Sequence, residues 1–276
     1  FLFSLNSFSQ FSKTHYIPPV GASDYINPNN GQQGSGYPQI QYLYISTPNE
    51  NPINVTITPI GGTPIIVDDL SNTNPYEYFI GNGIETNFIA LAENSGQIFN
   101  NKGFIIESED LVYVSARMFT NPDYYQAAGL VSKGLAALGK TFRVGTFENL
   151  GDDMSNSFLN FVTVLATEDN TTVNFSDFGN GVTIVNNALI NDIILNFGES
   201  YLIAIKPNDN INNSDGLIGV LVESDKPIAV NSGSITGSNQ NTSTDANGQD
   251  AGIDQIVPLE RVGTEYIFVR GIGPDQ

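Results

Sequence analysis

One histidine, His15, and no cysteine stand among 276 residues. That leaves almost no parts for a transition-metal centre or for a Ser–His or Cys–His nucleophile. His15 sits between Thr14 and Tyr16 in a stretch whose pattern recurs later in the chain, so it reads as a structural strand residue rather than a catalyst. No Gly-x-Ser-x-Gly elbow, P-loop or dinucleotide fingerprint is present. Paired carboxylates can hydrolyse glycosides, and the obvious pairs are Asp68 with Asp69, Asp152 with Asp153, and Glu107 with Glu109. Each lies in a turn or at a strand end, and adjacent strand residues point to opposite faces. No enzymatic activity is expected.

Calcium is the one candidate cofactor. Asp245, Asn247, Asp250 and Asp254 place hard oxygen donors around the turn at Gly248, the donor type that Ca²⁺ takes. The regular EF-hand spacing and the closing bidentate Glu are missing, so a solvated loop is the default. The turn acids Glu107, Glu109, Glu168, Asp169, Glu223 and Asp225 recur at similar places. They could form a ring of acids on one face; the favoured alternative is that each carboxylate accepts backbone N–H groups in its own turn.

The elements that must position these groups are strands. Lys and Arg total 10 against 29 Asp and Glu, a net charge of −19. This argues against a nucleic-acid partner and against docking on anionic lipid. Polarity comes from Asn, Ser, Thr and Gly, and the apolar content includes 17 Phe and 12 Tyr, a balance that suits sheets joined by turns. No apolar run is long enough to span a bilayer, so no direct membrane insertion is expected. Residues 1–10 have the look of a signal-peptide remnant, apolar and then small residues with a cut near Gln10; an edge strand is the alternative.

Four strand–turn–strand segments share one pattern: Tyr42–Val55, Phe104–Val114, Val164–Val173 and Val220–Val230. Each reads as a β-hairpin, and the closing valines are spaced 59, 59 and 57 residues apart. A longer period overlies this one. Lys13-Thr14, Lys140-Thr141 and Gly263-Thr264 each lead into aromatic and β-branched residues, with 127 and then 123 positions between the threonines. The expected fold is all-β, with repeated antiparallel hairpin units of about 58 residues in a propeller-like arrangement. Tandem β-sandwiches of about 125 residues are the alternative. The division is 1–10 leader, 11–138 first unit, 139–262 second unit, and 263–276 the start of a third.

Helix is expected only near residues 122–138, where a small-residue loop fits equally well because Gly129 and Gly134 each cost a helix about 1 kcal/mol. Two loops, 28–36 and 237–254, are rich in Asn and Gly with few apolar anchors. They are the expected ligand-binding segments.

The hairpins, above all Val220–Val230 with its Ser224-Asp225-Lys226-Pro227 turn followed by Asn231-Ser232-Gly233, resemble the IgGFc-binding protein N-terminal domain family. Asp254, Gln255, Pro258 and Tyr266 match the block that follows in that family, and Thr167–Val173 and Gly198–Tyr201 match two more. With Lys13–Pro19 and Val131–Gly134, the string is similar to the N-terminal region of very large surface proteins of gliding Bacteroidota. The resemblance implies export by type IX secretion and a cell-surface, outer-membrane-associated location. It also implies a non-enzymatic adhesin module, in gliding or attachment, whose partners are a surface glycan or protein and other domains of the same chain. Antibody binding is not carried over from the family's namesake. A carbohydrate-binding or polysaccharide-processing domain is the second reading, which an exposed row of tyrosines such as Tyr76, Tyr78, Tyr124 and Tyr125 would favour. A structural spacer is the third.

Overall fold

The structure, a computed structural model, describes residues 10–26, 28–29, 31–34, 36–120, 126–146, 148–149, 158–207, 209–237 and 250–263. Among them are strands, five short 3₁₀ turns and no α-helix. The strands are β1 (Phe11–Ile17), β2 (Val20–Ala22), β3 (Pro38–Ser46), β4 (Ile53–Pro59), β5 (Ile65–Leu70), β6 (Tyr76–Asn82), β7 (Ile89–Leu91), β8 (Ile98–Phe99) and β9 (Phe104–Thr120). They continue with β10 (Gln126–Ser132), β11 (Gly139–Arg143), β12 (Leu159–Ala166), β13 (Thr171–Ser176), β14 (Ile193–Leu195), β15 (Ser200–Ile205), β16 (Leu221–Gly237) and β17 (Asp250–Gln255). The all-β expectation holds.

Two sheets share one plan. The first runs β5-β4-β9-β3-β6, with β1 and β10 also on β9; the second runs β14-β13-β16-β12-β15, with β11 and β17 also on β16, and adds the two-residue strand β8 beyond β15, which the first sheet lacks. Each is organised by a 17-residue strand, β9 or β16, that changes partners halfway. Residues 104–108 of β9 pair with β4, residues 113–120 pair with β3, and β1 follows β9 round the bend. In the second sheet β16 pairs with β13 over 221–224 and with β12 over 228–236. A bent strand that serves both halves of a curled sheet lets the two inner faces close on one another.

The expected hairpins therefore take another form. Phe104–Val114 and Leu221–Val230 lie along single bent strands. Tyr42–Val55 and Val164–Val173 supply the two strands that flank each bend, paired to the long strand and not to one another. Backbone and side-chain ties hold each bend open instead of letting it fold back. Ser108 Oγ donates to Asp110 O (2.6 Å) and Ser224 Oγ to Lys226 O (2.7 Å). Lys13 and Lys140 each donate to a bend carbonyl, Glu109 O and Asp225 O, at 2.7 Å. Thr47 Oγ1 reaches Leu111 O, and Thr167 Oγ1 reaches Pro227 O. The sheet order thus repeats with the long period, and the spacing of about 58 alternates two kinds of segment within it.

The span near 122–138 is not helical where it is described. Gln126–Ser132 is strand β10 and Gly134–Ala137 a single 3₁₀ turn. Ala128 and Leu130 are buried, an alternation of period two, and pairing along β9 supplies the backbone partners that a helix would otherwise make internally. Residues 1–9 and 264–276, which hold most of the expected leader and of the third unit, lie outside the described residues.

The cores are unequal. One cluster, built on Val162, Val164, Phe175, Ile203 and Val222, lies inside the second sheet. The larger cluster joins Leu43, Ile57, Phe104 and Val114 of the first sheet to Phe161, Leu202 and Ala204 of the second through Val20, Phe88 and Ile89.

Candidate binding site

The second sheet is covered on the face that carries Phe161, Thr163, Asn231 and Gln255, which pair across β12, β16 and β17. All four are fully buried. What covers them is the extended strap Tyr16–Ala22. Pro18 and Pro19, which have no N–H to donate, interrupt pairing between the end of β1 on β9 and β2, which runs parallel to β7, and side chains of the second sheet take up three carbonyls of the strap in turn. Gln255 Nε2 donates to Tyr16 O (2.7 Å), Asn231 Nδ2 to Pro18 O (2.7 Å) and Thr163 Oγ1 to Pro19 O (2.6 Å). Gly21 then passes so close to Phe161 that a Cβ would lie 2.6 Å from its ring. At the far end, Lys206 forms an ion pair with Glu93.

His15 stands beside this seam. Its Nδ1 is 2.9 Å from Ser132 Oγ, and its Nε2 faces the carbonyls of Val112 (3.1 Å) and Ser12 (3.3 Å). Two carbonyls require the proton on Nε2, so Nδ1 accepts. Burial lowers the His15 pKa to about 4 against the partial support of those carbonyls. A serine and a histidine thus come within reach of one another, but both are buried. The one Ser132 hydroxyl proton lies between two acceptors, His15 Nδ1 and Gln255 Oε1 (3.1 Å), and Gln255 Oε1 also accepts from Lys133 N (2.7 Å). In sequence, nothing linked His15 to Ser132 or Gln255.

The other sequence-derived candidates are dispersed. Asp254 is ion-paired with Lys133 at 2.6 Å. Asp245 and Asn247 lie outside the described residues, and of Asp250 only the backbone is described, paired to Gly237. Among the described residues no three acidic or histidine side chains gather as a metal site. Asp68 and Asp69 are exposed on β5, Asp152 and Asp153 lie outside the description, and Glu109 accepts from Asn54 N and Nδ2 (2.9 and 2.8 Å). Those two bonds lower the Glu109 pKa. Its counterpart Asp225 accepts from Thr172 N at 2.8 Å. The turn acids so placed hold bends, and their backbone partners lie on the neighbouring strand rather than in their own turn. Of loop 28–36, the described part is tied by a bridge from Ile26 to Gln33 and by Gln39 Nε2 donating to Gln33 Oε1 (2.6 Å). Of loop 237–254, residues 238–249 lie outside the description.

The matching face of the first sheet is open. Register places Tyr42 opposite Phe79 and Arg117, Tyr44 opposite Glu77 and Ser115, and Ser46 opposite Tyr113. Phe79 is 50% exposed, Glu77 and Arg117 are exposed, and Tyr42, Tyr44 and Tyr113 are half-buried. The rings form two groups in contact: Phe79, Tyr42 and Tyr44, with Tyr42 5.3 Å from Phe79 and 5.8 Å from Tyr44, and Tyr113 with Phe11 at 5.9 Å. The Arg117 guanidinium lies 5.4 Å from the Tyr44 ring centre, an attractive cation–π geometry. Burial, and a hydrogen bond to Glu77, push the Tyr44 phenol up. Two grooves that share Tyr113, Ser115 and Arg117 flank this row, of about 520 and 370 Å³. Tyr76 and Tyr78, the tyrosines singled out from sequence, turn the other way, against the core; Tyr124 and Tyr125 lie outside the description. The alternation Tyr42-Leu43-Tyr44-Ile45-Ser46 carried the signal for the true row. The near-continuous apolar run Tyr76–Ile80 hid the phase of its partner strand.

Residues 127–276, just over half of the chain, match the IgGFc binding protein family. No curated protein and no solved structure matches. The matched span includes Lys133, Asn231 and Gln255, which meet the strap or the His15 group.

Proposed function

This chain belongs to the IgGFc binding protein family, and from that premise we propose that it is a non-enzymatic binding module that engages its ligand on the open face of the first sheet. In this proposal it forms the N-terminal part of a large adhesin exported to a bacterial surface by type IX secretion and used in attachment or gliding. One observation carries the reading: two sheets of the same plan present the same face, one closed by the strap Tyr16–Ala22 and the other lined by Tyr42, Tyr44, Phe79 and Tyr113 and left exposed. A contiguous aromatic face on a rigid sheet marks an interaction site. The burial of His15 and Ser132 supports the non-enzymatic part, since a substrate has no path to either. Loops 28–36 and 237–254 are secondary candidates; the first leads into β3, the strand that bears Tyr42 and Tyr44.

The test is attachment of the purified chain to glycan-coated and protein-coated surfaces. Saturable attachment that falls at least tenfold in the Tyr44→Ala/Tyr113→Ala double variant supports the proposal. Attachment that survives this change but vanishes when either loop is replaced by a Gly-Ser linker returns the site to the loops. Glycan cleavage abolished by one carboxylate substitution refutes the non-enzymatic reading.

A further inference from the structure

We propose that the open face takes a neutral glycan, laid along the aromatic row between Tyr113 and Phe79. This rests on the binding-module reading and adds the chemical class of ligand.

The first step excludes the occupant that the fold itself suggests. On the second sheet this face holds an extended strap, through donors at three places and a close approach at a fourth. Counterparts follow from the shared register. Where the second sheet has Gln255, Asn231 and Thr163, the first has Val131, Ser115 and Tyr44. Val131 has no donor, and the long amide of Asn231 becomes a short hydroxyl. Tyr44 stands where Thr163 donates to the strap, so a large ring replaces a small hydroxyl side chain there. A strap of the same kind, from another unit or a second copy, loses the Gln255 bond outright, finds a shorter donor in place of the Asn231 amide, and meets the bulk of the Tyr44 ring.

The second step asks what the replacements suit. Aromatic rings in a row offer flat apolar area to the C–H faces of pyranose rings, and binding sites pair such area with a few fixed polar groups. Here those are Glu77, an acceptor, Arg117, a donor, and the hydroxyls of Ser46 and Ser115, which do both. Glu77 and Arg117 also oppose one another in charge, so the groove has no net preference for an ion. The chain as a whole carries −19, which repels acidic polysaccharides at low salt. An uncharged, hydroxyl-rich ligand with flat faces matches all of this.

The experiment is affinity electrophoresis of the whole 276-residue chain through gels containing mannan, β-glucan, starch or galactan, with alginate and hyaluronan as acidic counterparts. The chain has no Trp, so intrinsic tyrosine fluorescence gives a second readout undisturbed by indole. Retardation by at least one neutral polysaccharide is expected, weakened tenfold or more by Tyr44→Ala and by Arg117→Ala. Phe197→Ala, which removes an exposed ring elsewhere, should stay within about threefold of the parent. Circular dichroism confirms that each variant is folded. Retardation by no neutral polysaccharide, by acidic ones alone, or unchanged in Tyr44→Ala overturns the glycan assignment. If Tyr44-dependent attachment to a protein-coated surface persists in that case, the binding-module reading stands and only the ligand class fails. If no attachment is found either, both fail.

Discussion

Gln255 donates its amide to the carbonyl of Tyr16, 2.7 Å away across 239 positions of chain, and so joins the first strand of one sheet to the last strand of the other. The same side chain accepts from Lys133 N and lies within reach of Ser132 Oγ, which makes it the hub of the seam. Replacing it by leucine keeps the volume and leaves two part-buried backbone groups, Tyr16 O and Lys133 N, short of this partner, while Ser132 Oγ keeps His15 Nδ1. Each such group costs about 1–3 kcal/mol, so Gln255→Leu should lose at least about 2 kcal/mol in urea unfolding. A loss under about 1 kcal/mol would show that the seam does not depend on this residue.

The single histidine makes an unusually clean pH probe. Folded His15 takes its proton only near pH 4 because it is buried, whereas an unfolded imidazole does so near its ordinary value of about 6.5. Between those values the unfolded chain binds more protons, so stability is full above about pH 6.5 and falls as pH drops toward 4, by about 3 kcal/mol in total. Proton NMR should show one imidazole titrating near pH 4. His15→Gln should remove this limb from the stability profile, and a folded-state titration near 6.5 would contradict the buried assignment.

Gly21 tests the strap by sterics alone. A methyl group there would meet the Phe161 Cβ and ring at 2.6 Å, so Gly21→Ala should lift the strap and cost more than about 2 kcal/mol. Gly31 is the control: its φ is +69° but nothing lies within 4 Å, so Gly31→Ala should cost only the left-handed backbone penalty of about 1–2 kcal/mol. Differential scanning calorimetry would compare them, and equal losses would argue against a seated strap.

The two bends predict matched effects. Thr47 Oγ1 donates to Leu111 O at 2.8 Å and Thr167 Oγ1 to Pro227 O at 2.6 Å. Thr47→Val and Thr167→Val should each cost about 1 kcal/mol. The double variant should lose their sum, because the two sites share no partner. A cost at only one site would break the equivalence of the sheets.

Some of this was open to reading in the chain alone. Val–Thr–Ile alternation, turn residues and scarce Lys and Glu determined an all-β protein, since those side chains fit pleated, half-buried surfaces. The 127-residue offset from Thr14 to Thr141 marked the repeat whose sheet order recurs. Local pattern could not say whether Ser108-Glu109-Asp110 turns a hairpin or bends one strand, because both need the same polar residues; the outcome rests on which strands lie alongside, a long-range matter. Nor could it say that Gln255, Ser132 and His15 meet, or that Tyr44 stays open while Thr163 is buried. A strand pattern determines two faces, and only the packing of Tyr16–Ala22 on one sheet decided which face remained for a ligand.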